Sequence, residues 1–286
     1  MMALRGFLLF IKKHSFIFAA VLLLSSSAAY AFDCRIIPDV IKPGDPFLVK
    51  IEGSATEPAA LFEGRKLLSI SCGESCYLFI GAVDVGAAPG KYIVNISSSA
   101  KSVNAEFNLK DGGFREIHLT LPGDKVTLDS ETLKRVIHEK AMLDDIFARN
   151  SSAAWTGSFV YPLDSDVTSG FGNRRIINKS ITSIHRGIDM RARTGDLVRA
   201  ANTGKVVLAK ELFYGGNTVI VDHGLGIFTI YMHLSEFKAM EGDIISKNQV
   251  LGLAGSTGRS SGPHLHFGVK IQSQSINPIS FLGLGI

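Results

Sequence analysis

The sequence predicts a mainly β protein in three parts. A small Ig-like β-sandwich is expected over 32–110, a linker with an amphipathic helix over 111–154, and an antiparallel β-sheet with an open groove over 155–286. Three observations support this prediction. Short β-rich runs alternate with turn signals in the first part, and glycine-bounded runs of β-branched residues fill the last. A helical period of apolar residues occurs between them.

Composition limits the classes of function. With 286 residues, 46% of them hydrophobic and 20% charged, the chain is ordinary globular material with length for about two domains. The formal charge is +4, but residues 1–31 carry three basic residues and no acid, so the remainder has a charge of only +1. Nucleic-acid binders depend on clustered lysines and arginines. The nearly neutral charge of the remainder therefore argues against a nucleic-acid binder.

The first 31 residues have the pattern of a secretory signal peptide. A basic start is followed by an apolar run over 15–24 and by Ala29-Tyr30-Ala31, which resembles an A-x-A cleavage site. The alternative is an uncleaved anchor, because residues 15–31 just reach the length that spans a bilayer. Both interpretations place the folded part outside the cytoplasm, in a periplasm or secreted, and the chain contacts a membrane only if the leader is retained.

The β-sandwich over 32–110 is predicted from short strands, such as residues 47–51 and 92–96, that are separated by turn signals such as Pro89-Gly90. This part contains no histidine and no evident acid pair, so it is expected to be an accessory domain. Its cysteines are Cys34, Cys72 and Cys76. An extracytoplasmic location favours one disulfide among three pairings, whereas a structural zinc site would need a fourth ligand.

The linker is predicted to contain an amphipathic helix that Asp129 or Ser130 can cap. Apolar residues recur at helical spacing and are expected to face a neighbour, namely Leu133, Val136, Ile137, Leu143 and Phe147. The charged residues on the other side would face solvent, namely Lys134, Arg135, Glu139 and Lys140.

The C-terminal part is predicted to be mainly an antiparallel sheet, because runs such as 205–208, 218–221 and 228–231 are bounded by glycines. Five of the eight histidines lie here, namely His185, His223, His233, His264 and His266.

The first candidate pair is His185 and Asp189. Gly187 and Ile188 favour extended chain between them, and the even spacing would then place both side chains on one face. An imidazole and a carboxylate are two of the three protein ligands of a catalytic zinc. A plain hydrogen bond between the two side chains is the alternative.

The second candidate pair is His264 and His266, which on a strand project from one face, with Leu265, Phe267 and Val269 on the core side. Two adjacent histidines are seldom placed together for packing, since each brings polar atoms that need partners. His233 is open between a structural and a functional role, whereas His223 at a turn is expected to be structural.

These residues stand in motifs that resemble the LytM/lysostaphin-type zinc metallopeptidases. The resemblance covers nearly all of residues 158–286. It rests on five stretches in order: Ser169-Gly170-Phe171-Gly172-Asn173-Arg174-Arg175, His185-Arg186-Gly187-Ile188-Asp189, Tyr231-Met232-His233-Leu234, Gly255-Ser256-Thr257-Gly258 and Gly262-Pro263-His264-Leu265-His266.

The resemblance implies a C-terminal peptidase domain that cuts peptide bonds in bacterial peptidoglycan. It implies one Zn²⁺ per domain held by His185, Asp189 and His266, with a fourth position open for water. His264 and His233 match family histidines beside that water. His264 is assigned as general base, and His233 is expected to orient water or stabilise the oxyanion. The expected partner is the peptide stem of peptidoglycan.

Other functions stay open at this stage. A catalytically silent relative would bind and activate another wall hydrolase, although all five family positions are intact here. Alternatively, the N-terminal domain would carry out wall binding or inhibit the peptidase. Arg174 and Arg175 would contact an acidic peptide stem or pair with surface acids. The cross-link that is cut is open among a D-alanyl to diaminopimelate bond, a glycine bridge and another peptide. A periplasmic location favours the D-alanyl to diaminopimelate bond. No oligomeric state is predicted.

Overall fold

The computed structural model describes residues 32–99, 101–119, 128–178 and 181–286. The predicted leader, residues 1–31, therefore lies outside the described residues. No helix within the described ranges has the length and apolarity needed to cross a bilayer. As predicted, the described chain is mainly β, and most of its strands pair in antiparallel fashion.

The first eight strands form two four-stranded antiparallel sheets with the orders β1-β2-β6-β5 and β4-β3-β7-β8. Their strands are β1 (Asp33–Ile37), β2 (Pro46–Glu52), β3 (Ala59–Phe62), β4 (Arg65–Lys66), β5 (Leu68–Gly73), β6 (Cys76–Ala82), β7 (Gly90–Ser97) and β8 (Ser102–Leu109). The two sheets share one apolar core, in which Phe47 of the first meets Phe62 of the second with ring centroids 5.0 Å apart. The Ig-like topology stays a prediction.

Strand β2 is buried on both faces, which explains its nearly continuous apolar sequence. Phe47 and Val49 face the core between the two small sheets, whereas Leu48 belongs to the core of the C-terminal part. The first small sheet therefore packs against the C-terminal part. At this contact the Asn277 backbone N–H donates to the Gly44 carbonyl oxygen at 2.7 Å.

The cysteine prediction is resolved by a disulfide between Cys72 and Cys76, whose Cα atoms lie 5.0 Å apart. The two residues flank the turn between β5 and β6 and are close in space for that reason. Cys34 is a free thiol. Burial, and to a smaller extent the neighbouring Asp33 charge, raises the pKa of Cys34 to about 11, so the thiol stays protonated.

The linker contributes a strand, β9 (Glu116–Leu119), and a helix, α1 (Ser130–Phe147). The helix lies where its period predicted it, and Asp129 caps it by accepting a hydrogen bond from the Thr132 backbone N–H. Strand β9 pairs in parallel with β11 (Arg174–Ile177) of the C-terminal part, which also pairs with β12 (Ile181–Ile184). Residues 116–119 thus complete a small sheet with the order β12-β11-β9.

The predicted packing face of α1 is partly wrong. Leu133 and Ile137 are 47% and 59% exposed, whereas Glu139 is buried. The packed stripe instead runs through Glu139, Met142, Leu143, Ile146 and Phe147. Glu139 is tolerated there because its carboxylate accepts hydrogen bonds from Arg135 Nε at 2.7 Å and from the Phe213 backbone N–H at 2.8 Å.

The C-terminal part is built on a ten-stranded sheet whose main path has the order β10-β13-β20-β17-β16-β15-β18. The remaining strands are β10 (Val167–Ser169), β11 (Arg174–Ile177), β12 (Ile181–Ile184), β13 (Ile188–Arg191), β14 (Leu197–Arg199), β15 (Gly204–Leu212), β16 (Gly216–Gly224), β17 (Ile227–Phe237), β18 (Ile244–Ile245), β19 (Val250–Ala254), β20 (His264–Ile271) and β21 (Gln274–Ile276). A short helix, α2 (Pro278–Gly283), follows.

His223 has the structural role that the sequence predicted. It is fully buried, with Nδ1 donating to the Thr203 carbonyl oxygen at 2.7 Å and Nε2 2.7 Å from the Thr229 hydroxyl. Its ring also contacts Phe159 edge to face. Burial outweighs the hydrogen bond to Thr203 and lowers the pKa of His223 to about 4.

We expect His223 to make the protein less stable as the pH falls from about 6.5 to about 4. The unfolded histidine, with a pKa of about 6.5, takes up a proton before the buried one does, and the difference corresponds to about 3 kcal/mol. Above about pH 6.5 both states are neutral and no loss arises. Urea unfolding of wild type and His223→Gln between pH 7.5 and 4 measures this. Equal losses of stability in both proteins would contradict the assignment.

Candidate metal centre and active site

The centre of the site is a cross-strand pair. Strands β13 and β20 are antiparallel, with Asp189 opposite His266 and Arg191 opposite His264. Directly opposed residues project from the same face of a sheet, so Asp189 and His266 meet. On the other face of β20, Leu265, Phe267 and Val269 are fully buried in the core, as the strand pattern predicted.

His185 reaches the same point by a bend rather than by the continuous extended chain that was predicted. Strand β12 ends at Ile184 and β13 begins only at Ile188, with a bend at Gly187 between them. A Cβ atom at position 187 would lie 2.6 Å from His266 Nε2, so a side chain there would displace that ring. Glycine at 187 is therefore required by the close approach of His266.

Three donor atoms converge where these elements meet. His185 Nε2 lies 2.9 Å from Asp189 Oδ1 and 3.1 Å from His266 Nδ1, and the latter two atoms are 2.9 Å apart. Within the part of the chain that the structure describes, this is the one group of His, Cys, Asp or Glu donors close enough to share a metal ion.

The protonation pattern suits a cation. His185 Nδ1 donates to the Gly170 carbonyl oxygen at 2.8 Å, which leaves the lone pair of Nε2 aimed at the centre. Burial lowers the pKa of His266, which keeps this ring neutral. Burial raises the pKa of Asp189, but the close contacts of its carboxylate with the His185 and His266 rings outweigh burial and hold the pKa well below its usual range. Nitrogen atoms of two imidazoles and one carboxylate oxygen thus converge as possible ligands.

His264 lies beside the three-atom centre without joining it. Its Nδ1 donates to the Gly262 carbonyl oxygen at 2.8 Å, and its Nε2 is 3.8 Å from Asp189 Oδ1. The His264 ring lies 4.7 Å from the His233 ring, measured between centroids. Neither histidine has a hydrogen-bond partner at Nε2 among the described residues, so both present this atom at one edge of the centre.

His233 reaches the site through an irregularity in β17. Regular alternation would place it on the same face as the buried Tyr231, while Met232, opposite His266, would face the site. A β-bulge lies here, and His233 has a φ of +65°, which is rare for a residue with a side chain. The bulge redirects the imidazole towards His264, as bulges beside active sites often do.

Two backbone carbonyls hold this strained residue in place. The His233 backbone N–H donates to the Gly215 oxygen at 2.8 Å, and His233 Nδ1 donates to the Thr257 oxygen at 2.8 Å. The Thr257 hydroxyl in turn donates to the Leu234 carbonyl. Burial, partly offset by the bond to Thr257, lowers the pKa of His233 to about 4, so its Nε2 is an acceptor at neutral pH.

Arg175 is a residue of the site that the sequence did not resolve. Its Nη2 lies 3.2 Å from Asp189 Oδ2, the carboxylate oxygen that faces away from the histidines. Arg174, one position earlier on β11, is exposed. The sequence left open whether Arg174 and Arg175 contact a peptide stem or pair with acids of the protein. In the structure Arg175 pairs with an acid of the protein, Asp189. Strand alternation in the sequence indicated that Arg174 and Arg175 face opposite sides of a strand. It could not indicate that Asp189 is the partner of Arg175.

The C-terminal part of the chain is similar to known peptidases. Residues 183–278 match the sequence model of peptidase family M23. The chain is 27% identical over 282 residues to the peptidoglycan DD-endopeptidase ShyA of Vibrio cholerae. This alignment covers 93% of this chain and 59% of ShyA. It is 40% identical over 114 residues to the DD-carboxypeptidase/endopeptidase Mpg of Neisseria meningitidis, covering 40% of this chain and 26% of that protein.

A solved structure shares most of the architecture. A protein described as a peptidase M23 from Pseudomonas aeruginosa superposes with a TM-score of 0.68 at 25% identity, over 85% of this chain and 95% of that one. By contrast, the chain spans about 59% of the length of ShyA and about a quarter of Mpg.

Proposed function

Since this chain carries a peptidase family M23 domain at residues 183–278, we propose that it is a zinc-dependent endopeptidase that hydrolyses peptide cross-links of bacterial peptidoglycan. The observation that carries the proposal is the convergence of His185 Nε2, Asp189 Oδ1 and His266 Nδ1 within 3.1 Å of one another. The name of its relative ShyA, a peptidoglycan DD-endopeptidase, supports peptidoglycan as the substrate.

The donor set fits zinc. Catalytic zinc sites take three protein ligands from histidine and carboxylate side chains and keep one position open. The three atoms named above would be the ligands of one ion per domain. Their partners also fit, because histidine and carboxylate ligands are oriented by hydrogen bonds from a second layer, here the Gly170 carbonyl and the Arg175 guanidinium.

When bound, zinc would polarise the scissile carbonyl and lower the pKa of a coordinated water from about 15.7 towards 7. The protein's own histidines would handle the protons. His264, whose Nδ1 already donates to Gly262, can accept the proton of the attacking water at Nε2 and then donate it to the leaving amine. His264 is therefore the proposed general base and, after the attack, the general acid.

His233 would orient the attacking water. Stabilising an oxyanion, the other task expected of His233, needs an N–H donor at Nε2. The pKa of His233 is about 4, and its one ring proton at neutral pH is on Nδ1, which donates to Thr257. Its Nε2 therefore has no proton to donate. Its free Nε2 lone pair instead accepts a hydrogen bond. This geometry supports the water-orienting role.

We expect Arg175→Gln to weaken zinc binding about 10- to 100-fold, which is the usual effect of removing a group that holds a metal ligand. Without the guanidinium, Asp189 loses the partner of its Oδ2 atom and can rotate. Competition with a chromogenic chelator measures the affinity. Arg174→Gln, at the exposed neighbouring position, is the matched control. Unchanged affinity in Arg175→Gln would contradict the role.

The remaining parts of the proposal concern location and organisation. Residues 1–31 would be a signal peptide, and the mature protein would act in a periplasm or after secretion, where peptidoglycan lies. Residues 32–110 would be an accessory β-domain, 111–154 a linker and 155–286 the peptidase domain. The packing of Leu48 into the C-terminal core supports a fixed rather than a freely hinged accessory domain.

Incubating the purified protein with defined cross-linked muropeptides and identifying the fragments by mass spectrometry tests the proposal. Zinc-dependent conversion of dimers to monomers is expected, and a chelator should stop it. Dimers that stay intact with one equivalent of zinc bound would contradict the enzymatic function. The silent-relative alternative is not favoured, because the three proposed ligands converge and both further histidines lie beside them.

A further inference from the structure

The loop over residues 256–260 joins the two proposed catalytic histidines. At one end the Thr257 carbonyl oxygen accepts the hydrogen bond of His233 Nδ1 at 2.8 Å. At the other end the Ser260 hydroxyl lies 3.2 Å from His264 Nδ1. Arg259 stands between these two contacts. Its backbone is therefore fixed between the two residues of the loop that contact the Nδ1 atoms of His233 and His264.

The side chain of Arg259 is also fixed in place. Its backbone N–H donates to the Tyr214 carbonyl oxygen at 3.0 Å, and its guanidinium carbon lies 4.3 Å from the centre of the Tyr214 ring. Gly216, with φ near +60°, allows this approach, because a Cβ atom there would collide with the backbone of Thr257. Gly215 lies between Tyr214 and Gly216, and its carbonyl oxygen accepts a hydrogen bond from the His233 backbone N–H.

The guanidinium of Arg259 has no carboxylate partner among the described residues. No ion pair in that part of the chain includes it, whereas Arg175 is bonded to Asp189. The residue is exposed, and Tyr214 is 37% exposed. Stacking on an aromatic ring occupies one flat face of a guanidinium and leaves its edge N–H groups free. Such an edge matches a carboxylate with two parallel hydrogen bonds.

We propose that Arg259, held on Tyr214, binds a free carboxylate of the substrate next to the scissile bond and thereby selects acidic cross-links. This inference rests on the proposed function and extends it to substrate class. In a D-alanyl to diaminopimelate cross-link, the carbon that bears the leaving amine also bears a carboxylate. A glycine bridge offers no such group. Arg259 therefore favours the diaminopimelate type.

The test compares two muropeptide dimers that differ at one group, a free carboxylate or a carboxamide on the carbon bearing the leaving amine. For the zinc-loaded wild type, kcat/KM is expected to be about 10- to 100-fold higher with the free carboxylate, the effect of a hydrogen-bonded charge pair. In Arg259→Gln this preference should disappear, through loss of activity on the acidic dimer alone. Arg259→Lys should keep part of it, because the charge remains without the planar fork.

Arg149→Gln is the matched control, since Arg149 is exposed beyond the end of α1, beside Gly226 and Gln272 rather than at the site. It should keep the full preference. The inference is overturned if Arg259→Gln keeps the wild-type preference, or if it loses activity on both dimers equally, which a purely structural role would cause. If the zinc-loaded wild type cuts neither dimer, the proposed function itself fails and this inference fails with it.

Discussion

Replacing His266 by alanine is expected to remove zinc binding and peptidoglycan hydrolysis together. His266 Nδ1 lies 2.9 Å from Asp189 Oδ1 and 3.1 Å from His185 Nε2, so its loss takes one of three donors from the proposed ligand set. A metal supplies several kcal/mol of transition-state stabilisation, and about 1.4 kcal/mol is a factor of ten in rate. Activity should therefore fall by more than about 10³-fold.

Zinc content by atomic emission and release of soluble fragments from sacculi measure the two effects. His138→Ala is a suitable control, because His138 is exposed on α1. It should keep one equivalent of zinc and full activity. If His266→Ala retained a full equivalent of zinc at unchanged affinity, the proposed ligand set would be wrong, even if activity were lost.

Replacing His264 by glutamine is expected to separate catalysis from metal binding. Glutamine keeps a polar group near the Gly262 carbonyl but cannot take a proton at neutral pH. Because general acid–base catalysis contributes about 10²- to 10⁴-fold, kcat should fall by that factor. Zinc affinity should change little, since His264 Nε2 is 3.8 Å from Asp189 Oδ1 and outside the three-atom centre.

Steady-state kinetics on a defined dimer, with zinc measured on the same samples, checks this result. A kcat within a few-fold of wild type would exclude His264 as the base and would transfer that role to His233. Loss of zinc together with activity would instead place His264 among the ligands. His233→Gln, measured in parallel, should lower kcat as well and keep the metal, because the water would lose one of its acceptors.

Much of the fold could be predicted from the sequence because it depends on local patterns. The period-2 alternation around His264 and His266 placed Leu265 and Phe267 in the core, where both are fully buried. The helical period placed α1, and Asp129 was among its predicted caps. The predicted packing side of α1 was partly wrong, because the burial of Glu139 depends on hydrogen bonds from Phe213, in another part of the chain, and from Arg135 on α1 itself.

The site shows the same division. The sequence singled out five side chains that the structure brings together, but only pattern and resemblance supported them. It did not predict the bend at Gly187, which replaces the extended chain expected between His185 and Asp189. Nor did it predict the bulge that turns His233 towards the site, against the alternation of β17.

By itself, the sequence determined the mainly β architecture, the helix between its two β parts and the residue types available for chemistry. These follow from periodicity, turn signals and side-chain type, which act over a few residues. Only the tertiary structure decided that Asp189 stands opposite His266, that Cys72 pairs with Cys76 and that Arg175 bonds Asp189 while Arg259 lies open on Tyr214. Strand register, bulges and ion-pair partners are set by contacts between distant segments, and no local pattern encodes them.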